Sequence, residues 1–118
     1  MTTTATNLSE KKCTACEGGV PKLTADEIKR LLPAVPGWQV TADGQRIRRE
    51  WRVKDFLAGL DFFQLIGKVA EEEGHHPDLH LAGYRNVAVE IYTHAIGGLS
   101  ENDFILAAKI NRLAVELK

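Results

Sequence analysis

The chemistry this chain could do is concentrated in one stretch, Glu71-Glu72-Glu73-Gly74-His75-His76-Pro77-Asp78, with His80 just after it, then His94 and Asp103. All four histidines lie between positions 75 and 94. Imidazole, with an unperturbed pKa of about 6.5, both gives and takes a proton near neutrality. Two or three such rings around one ligand make a proton-transfer site. Pro77 biases His76 towards an extended backbone, so the two adjacent rings diverge, one free to grip a ligand while the other protonates it. Solvated surface histidines are the plain alternative. A metal site is another, since His75, His76, His94 and a carboxylate could form a facial set, but the intervals do not match a helix-borne His-Glu-x-x-His. Asp103 has a second explanation as the N3 residue of a helix, where free amides and the dipole favour a carboxylate. Glu71, Glu72 and Glu73 oppose the dipole at a helix C-terminus, which points to a role other than helix stability.

The elements that must hold these residues are legible from periodicity. Thr24-Ala25-Asp26-Glu27 is a capping box opening a helix over 25–32, stopped by Pro33 and Pro36. Trp38 begins an extended stretch, and Ala42-Asp43-Gly44 has hairpin chemistry. Gln45 to Val53 alternates, with Ile47, Trp51 and Val53 opposed to Arg46, Arg48, Glu50 and Arg52, as in a half-buried antiparallel strand. From Asp55, an N-cap, the spacing turns helical through Phe56, Leu60, Phe63, Gly67 and Ala70, with Leu57 and Ile66 widening the stripe and Gly74 as a left-handed stop. Asn86 to His94 alternates again. Ser100-Glu101-Asn102-Asp103 caps a last helix with the stripe Leu106, Ile110, Leu113 and Leu117. Two strand pairs around one long helix predict an α+β fold: a four-stranded antiparallel sheet with helices packed on one face.

Composition sets the class. The chain has 118 residues, 44% hydrophobic and 26% charged, with a net charge of −1. That suits one domain with a real core and argues against direct nucleic-acid or anionic-membrane binding, which need a concentrated basic surface. No apolar run approaches the ~20 residues needed to span a bilayer. The N-terminus has neither the charged nor the apolar region of a signal peptide, so a cytoplasmic protein is expected. Residues 1–20 read as a flexible tail, polar and Thr-rich over 1–12, and residues 21–118 as the domain.

Three further features have plain explanations. Cys13-x-x-Cys16 lacks two ligands for zinc and sits in a Gly-flanked tail rather than at a helix start, so free thiols are the default reading. The Arg46, Arg48, Arg49 and Arg52 cluster could bind an anion, although charges on a solvated strand face are commoner. Trp38 is a core residue or a flat wall for a planar ligand.

Glu71-x-x-x-His75-His76-Pro77, followed by Tyr84, Val87, Val89, Thr93-His94, Gly98-Leu99 and Asp103, resembles the pterin-4a-carbinolamine dehydratase family. The likeness runs from about Leu23 to the C-terminus and includes Pro36-Gly37-Trp38 and Ala107. The resemblance implies a four-stranded antiparallel sheet with three helices and association into homodimers or homotetramers. It implies dehydration of 4a-hydroxytetrahydrobiopterin to quinonoid dihydropterin, in recycling of the tetrahydrobiopterin cofactor, with no metal or organic cofactor. It also implies that His75, His76 and His94 line the pterin site, with His76 the principal acid. Asp103 would orient a pocket histidine, Glu71 would help hold the site, and Trp38 would flank the pterin. Members of the family also act as binding modules, in transcriptional coactivation or enzyme assembly, and that is the alternative function. The loop between Pro77 and Tyr84 is one residue longer than in animal members, and His80 lies outside the motif.

Overall fold

The computed structural model describes residues 5–13 and 21–118. Its sheet contains β1 (Gln39–Val40), β2 (Ile47–Arg52), β3 (Asp78–Ala82) and β4 (Asn86–Ile91), in the order β1-β2-β4-β3 and antiparallel throughout. Among the described residues there are four helices: α1 (Ala5–Glu10), α2 (Ala25–Leu31), α3 (Phe56–Glu73) and α4 (Glu101–Asn111). The expected α+β architecture is therefore present. None of these helices is long and apolar enough to cross a membrane.

Alternation in β2 sorts its side chains. Ile47, Trp51 and Val53 are buried in the core. Arg46 and Arg48 lie on the opposite face, ion-paired to Asp78, Glu50 and Glu90. Arg49 has the parity of the buried residues. Its arm crosses the Trp51 ring at 4.7 Å and its Nη1 donates to Pro36 O and Asn111 Oδ1. The arginines grouped together in the sequence are thus split between two faces.

The caps form as the sequence dictates. Thr24 and Glu27 complete a capping box, the Asp55 carboxylate accepts from Ala58 N, and Gly74 ends α3 at φ 63°. The phase of α3 differs from expectation. Ala58, Gly59, Phe62, Ile66 and Ala70 are buried, whereas Phe56, Leu57 and Leu60 are exposed. Two apolar stripes share this helix, and the buried one includes Gly59, where an added Cβ would lie 3.2 Å from Leu81 Cδ1, so α3 packs close to β3 at this point.

Helix α4 is buried almost all round, from Asn102 to Ala108 and again at Ile110. It ends at Asn111, so the predicted stripe stops short of Leu113 and Leu117. Instead the chain turns extended, and Leu117 forms an antiparallel bridge with Val53 while staying more than half exposed. Within the expected N-terminal tail, α1 is ordered against α4 and buries Leu8 completely. One apolar residue among polar neighbours carries no periodic signal, which is why composition did not reveal it. Cys16 and the rest of 14–20 lie outside the described residues.

Candidate active site

The site begins at the first turn of α4. Asp103 is fully buried, and a buried carboxylate is tolerable only when donors surround it. Its Oδ2 accepts from Ser100 N at 2.8 Å and from Thr93 Oγ1 at 2.9 Å. Since the Thr93 hydroxyl proton goes to Asp103, the Ser100 hydroxyl donates to Thr93 Oγ1 across 2.8 Å. The remaining oxygen, Oδ1, is 2.6 Å from His75 Nε2. An ionised carboxylate is acceptor-only, so Nε2 carries the proton and donates. Asp103 therefore caps the helix with one oxygen and orients a histidine with the other.

His75 reaches this position because α3 stops where it does. Gly74 in the left-handed conformation reverses the chain, with Gly74 N donating to Ala70 O and Glu71 O and His75 N donating to Ala70 O. His75 is 5% exposed. The next ring faces the other way: the His76 side chain is 60% exposed, with Nε2 3.5 Å from the exposed Glu71 Oε1. The expected divergence of the two rings is present. Pro77 then leads directly into β3.

His94 is delivered by the same logic of alternation. Thr93 turns inward to Asp103, and His94, opening a short 3-10 turn over His94–Ile96, is exposed. Its ring packs on Tyr92 with centroids 4.1 Å apart. The Arg46 guanidinium lies 4.0 Å from the Tyr92 centroid and donates to Asp78 Oδ2 at 2.8 Å and Glu90 Oε1 at 3.2 Å. Arg46 thus links the start of β3, just after His76, to the ring that supports His94.

The structure brings His75 and Asp103 into direct contact. The exposed rings of His76 and His94 belong to the chain neighbours of two residues, His75 and Thr93, that grip the same carboxylate. Trp38 is not brought to this cluster. It is a core residue, 4% exposed, T-shaped against Trp51, with Nε1 donating to Asn111 Oδ1 at 2.8 Å. Asn111 lies at the far end of α4 from Asp103, roughly 12 Å along the axis. Of the two readings of Trp38, the structure shows the core packing. Thr93 and Ser100 were missed as partners of Asp103; the Ser-x-x-Asp box was the signal for one, and nothing local marked the other. Among the described residues no three His, Cys, Asp or Glu side chains are arranged to hold a metal ion.

Residues 21–113 match the family model described as Pterin 4 alpha carbinolamine dehydratase. The chain is 55% identical over 113 residues to pterin-4-alpha-carbinolamine dehydratase 2, mitochondrial, of Arabidopsis thaliana, covering 93% of this chain and 60% of that one. A Methylococcus capsulatus relative is 46% identical over 95% of this chain and 97% of its own. The crystal structure of a transcriptional coactivator/pterin dehydratase from Brucella melitensis superposes with a TM-score of 0.72 at 33% identity, covering 77% of this chain and 96% of that one. The family model and these likenesses agree: the chain belongs to the pterin-4a-carbinolamine dehydratase family.

Proposed function

We propose that this protein is a hydro-lyase that dehydrates 4a-hydroxytetrahydrobiopterin to the quinonoid dihydropterin, working in the cytoplasm in recycling of the tetrahydropterin cofactor. The observation that carries this reading is one fixed imidazole, His75 on Asp103, with exposed imidazoles on the residues that follow His75 and Thr93, the two that bond this carboxylate. The reaction breaks the C4a–O bond. A protonated imidazole gives its proton to the departing hydroxyl, which leaves as water, while the N5 lone pair forms the C4a=N5 bond and a base takes the N5 proton. The sum is redox-neutral and needs no electron carrier. General acid–base assistance of this kind is worth about 10²–10⁴-fold.

His76 is assigned as the principal acid, because its exposed ring can meet a ligand while His75 is committed to Asp103. His75 and His94 position the pterin and share proton transfer, Asp103 orients His75, and Glu71, 3.5 Å from His76, helps hold that ring. The test is stopped-flow absorbance of chemically generated 4a-hydroxytetrahydropterin with and without the protein. Acceleration is expected; a rate equal to buffer would reject the assignment.

A homodimer or homotetramer is proposed as the working form, supported by the exposed apolar residues Phe56, Leu57 and Leu60 along one side of α3. The same stripe favours the second reading, a binding module for another protein. That reading predicts function without the histidines.

A further inference from the structure

Of the three glutamates that end α3, Glu71 lies beside His76 and Glu72 is exposed, but Glu73 turns inward, its side chain 4% exposed. Glu73 Oε2 accepts from Lys109 Nζ on α4 at 2.7 Å, and Oε1 accepts from the backbone N–H of Cys13 at 2.8 Å. Burial pushes this carboxyl up, yet the hydrogen bonds from Lys109 and Cys13 and the charges of Lys109 and Lys12 outweigh it and hold it below its ordinary value. One carboxylate thus ties three pieces of chain: the segment after α1, the end of α3 and the last turn of α4.

The pieces it ties are those that carry the catalytic pair. Glu73 is the last residue of α3, followed by the reversing Gly74 and then His75. Lys109 is on the helix whose first turn carries Asp103. The same N-terminal segment reaches that turn directly: Cys13 Sγ donates to Asn102 O at 3.6 Å, next to Asp103, and Lys11 Nζ pairs with Glu101 at 3.3 Å. Leu8, fully buried, and Arg112 donating to Ser9 Oγ at 3.1 Å hold its other end on α4. The distance between the end of α3 and the start of α4 sets the 2.6 Å contact of His75 with Asp103.

We infer that Glu73 is a positioning residue for the reaction, a buried clamp through which residues 8–13 hold His75 against Asp103. This rests on the dehydratase reading for its kinetic consequence only. Removing one partner of a buried ion pair leaves the other charge uncompensated, so the clamp opens rather than relaxes in place. A small displacement of an oriented catalytic group lowers turnover more than ground-state binding.

The test compares wild type with Glu73→Leu, Glu73→Gln and Lys109→Met, using Glu72→Gln as the exposed neighbour control. The readouts are kcat and KM for 4a-hydroxytetrahydropterin and the ¹H–¹⁵N resonance of His75 Nε2–H. Glu73→Leu is expected to lose about tenfold in kcat with KM within about twofold and to shift the His75 resonance, with Glu72→Gln unchanged. Glu73→Gln keeps an acceptor for Cys13 and is expected to lose less. Wild-type kcat and an unmoved His75 resonance in folded Glu73→Leu would overturn the inference. Should Glu73→Leu fail to fold, the same two readouts on Glu73→Gln and Lys109→Met decide. If the wild type shows no dehydration, the dehydratase reading fails, and the His75 resonance alone judges the clamp.

Discussion

At the scale of single residues, the account rests on a buried carboxylate that accepts from three donors, two on Oδ2 and one on Oδ1. Asp103→Asn puts an amide N–H where an oxygen now accepts, either from His75 or from Ser100 N and Thr93. One donor then faces another: with the N–H towards His75 the ring must change tautomer or turn away, and with it towards Ser100 N and Thr93 the cap that fixes the side chain is lost. The expected result is a fall in kcat of about 10²-fold or more and a loss of about 1–3 kcal/mol of stability for the unsatisfied buried group, read by stopped-flow and urea unfolding. A variant with full turnover would remove the orienting role. Asp103 itself was legible in the sequence as a helix N3 residue, and His75 and His76 as a diverging pair. What joined Asp103 to His75 was not legible, because the contact spans two elements with no sequence periodicity in common. Trp38 shows the converse: an aromatic after Pro-Gly suits a ligand wall or a core, and only the packing on Trp51 and the bond to Asn111 decide.

At the scale of elements, the end of α3 is the joint on which the site turns. Gly74 has φ 63° and open space around its Cβ position, so Gly74→Ala meets no clash but pays the left-handed strain. A loss of about 1 kcal/mol and a lower kcat are expected, measured by thermal melting and turnover; unchanged values would mean the reversal tolerates a side chain. Glu73 adds a pH dependence. Its folded pKa lies below the ordinary 4.5, so its contribution to stability is fully present above 4.5 and is lost as pH falls through the lower folded value. The difference in unfolding free energy between wild type and Glu73→Gln is therefore expected to shrink from pH 6 to pH 3, measured by urea titration; a constant difference would contradict it. Caps and strand alternation were readable because each is a local rule. The phase of α3 was not, since both apolar stripes have the same period and the choice is made by packing against the rest of the fold, with Ala58, Gly59, Phe62, Ile66 and Ala70 the side that is buried.

At the scale of the whole molecule, the helices cover one face of the sheet and leave Phe56, Leu57 and Leu60 of α3 in solvent. Leu57 is 67% exposed, so Leu57→Glu costs the protomer little and makes an apolar interface untenable. Sedimentation velocity is expected to show a shift of the variant towards monomer, with the far-UV spectrum retained; an unchanged distribution would move any self-association off this surface. The central claim, however, concerns proton transfer by the histidines of one end of the sheet. The most direct measurement is stopped-flow dehydration of 4a-hydroxytetrahydropterin by wild type, His76→Ala and His80→Ala. The account predicts that His80→Ala retains the wild-type rate and that His76→Ala loses most of the acceleration. A His76→Ala protein as fast as wild type would contradict it.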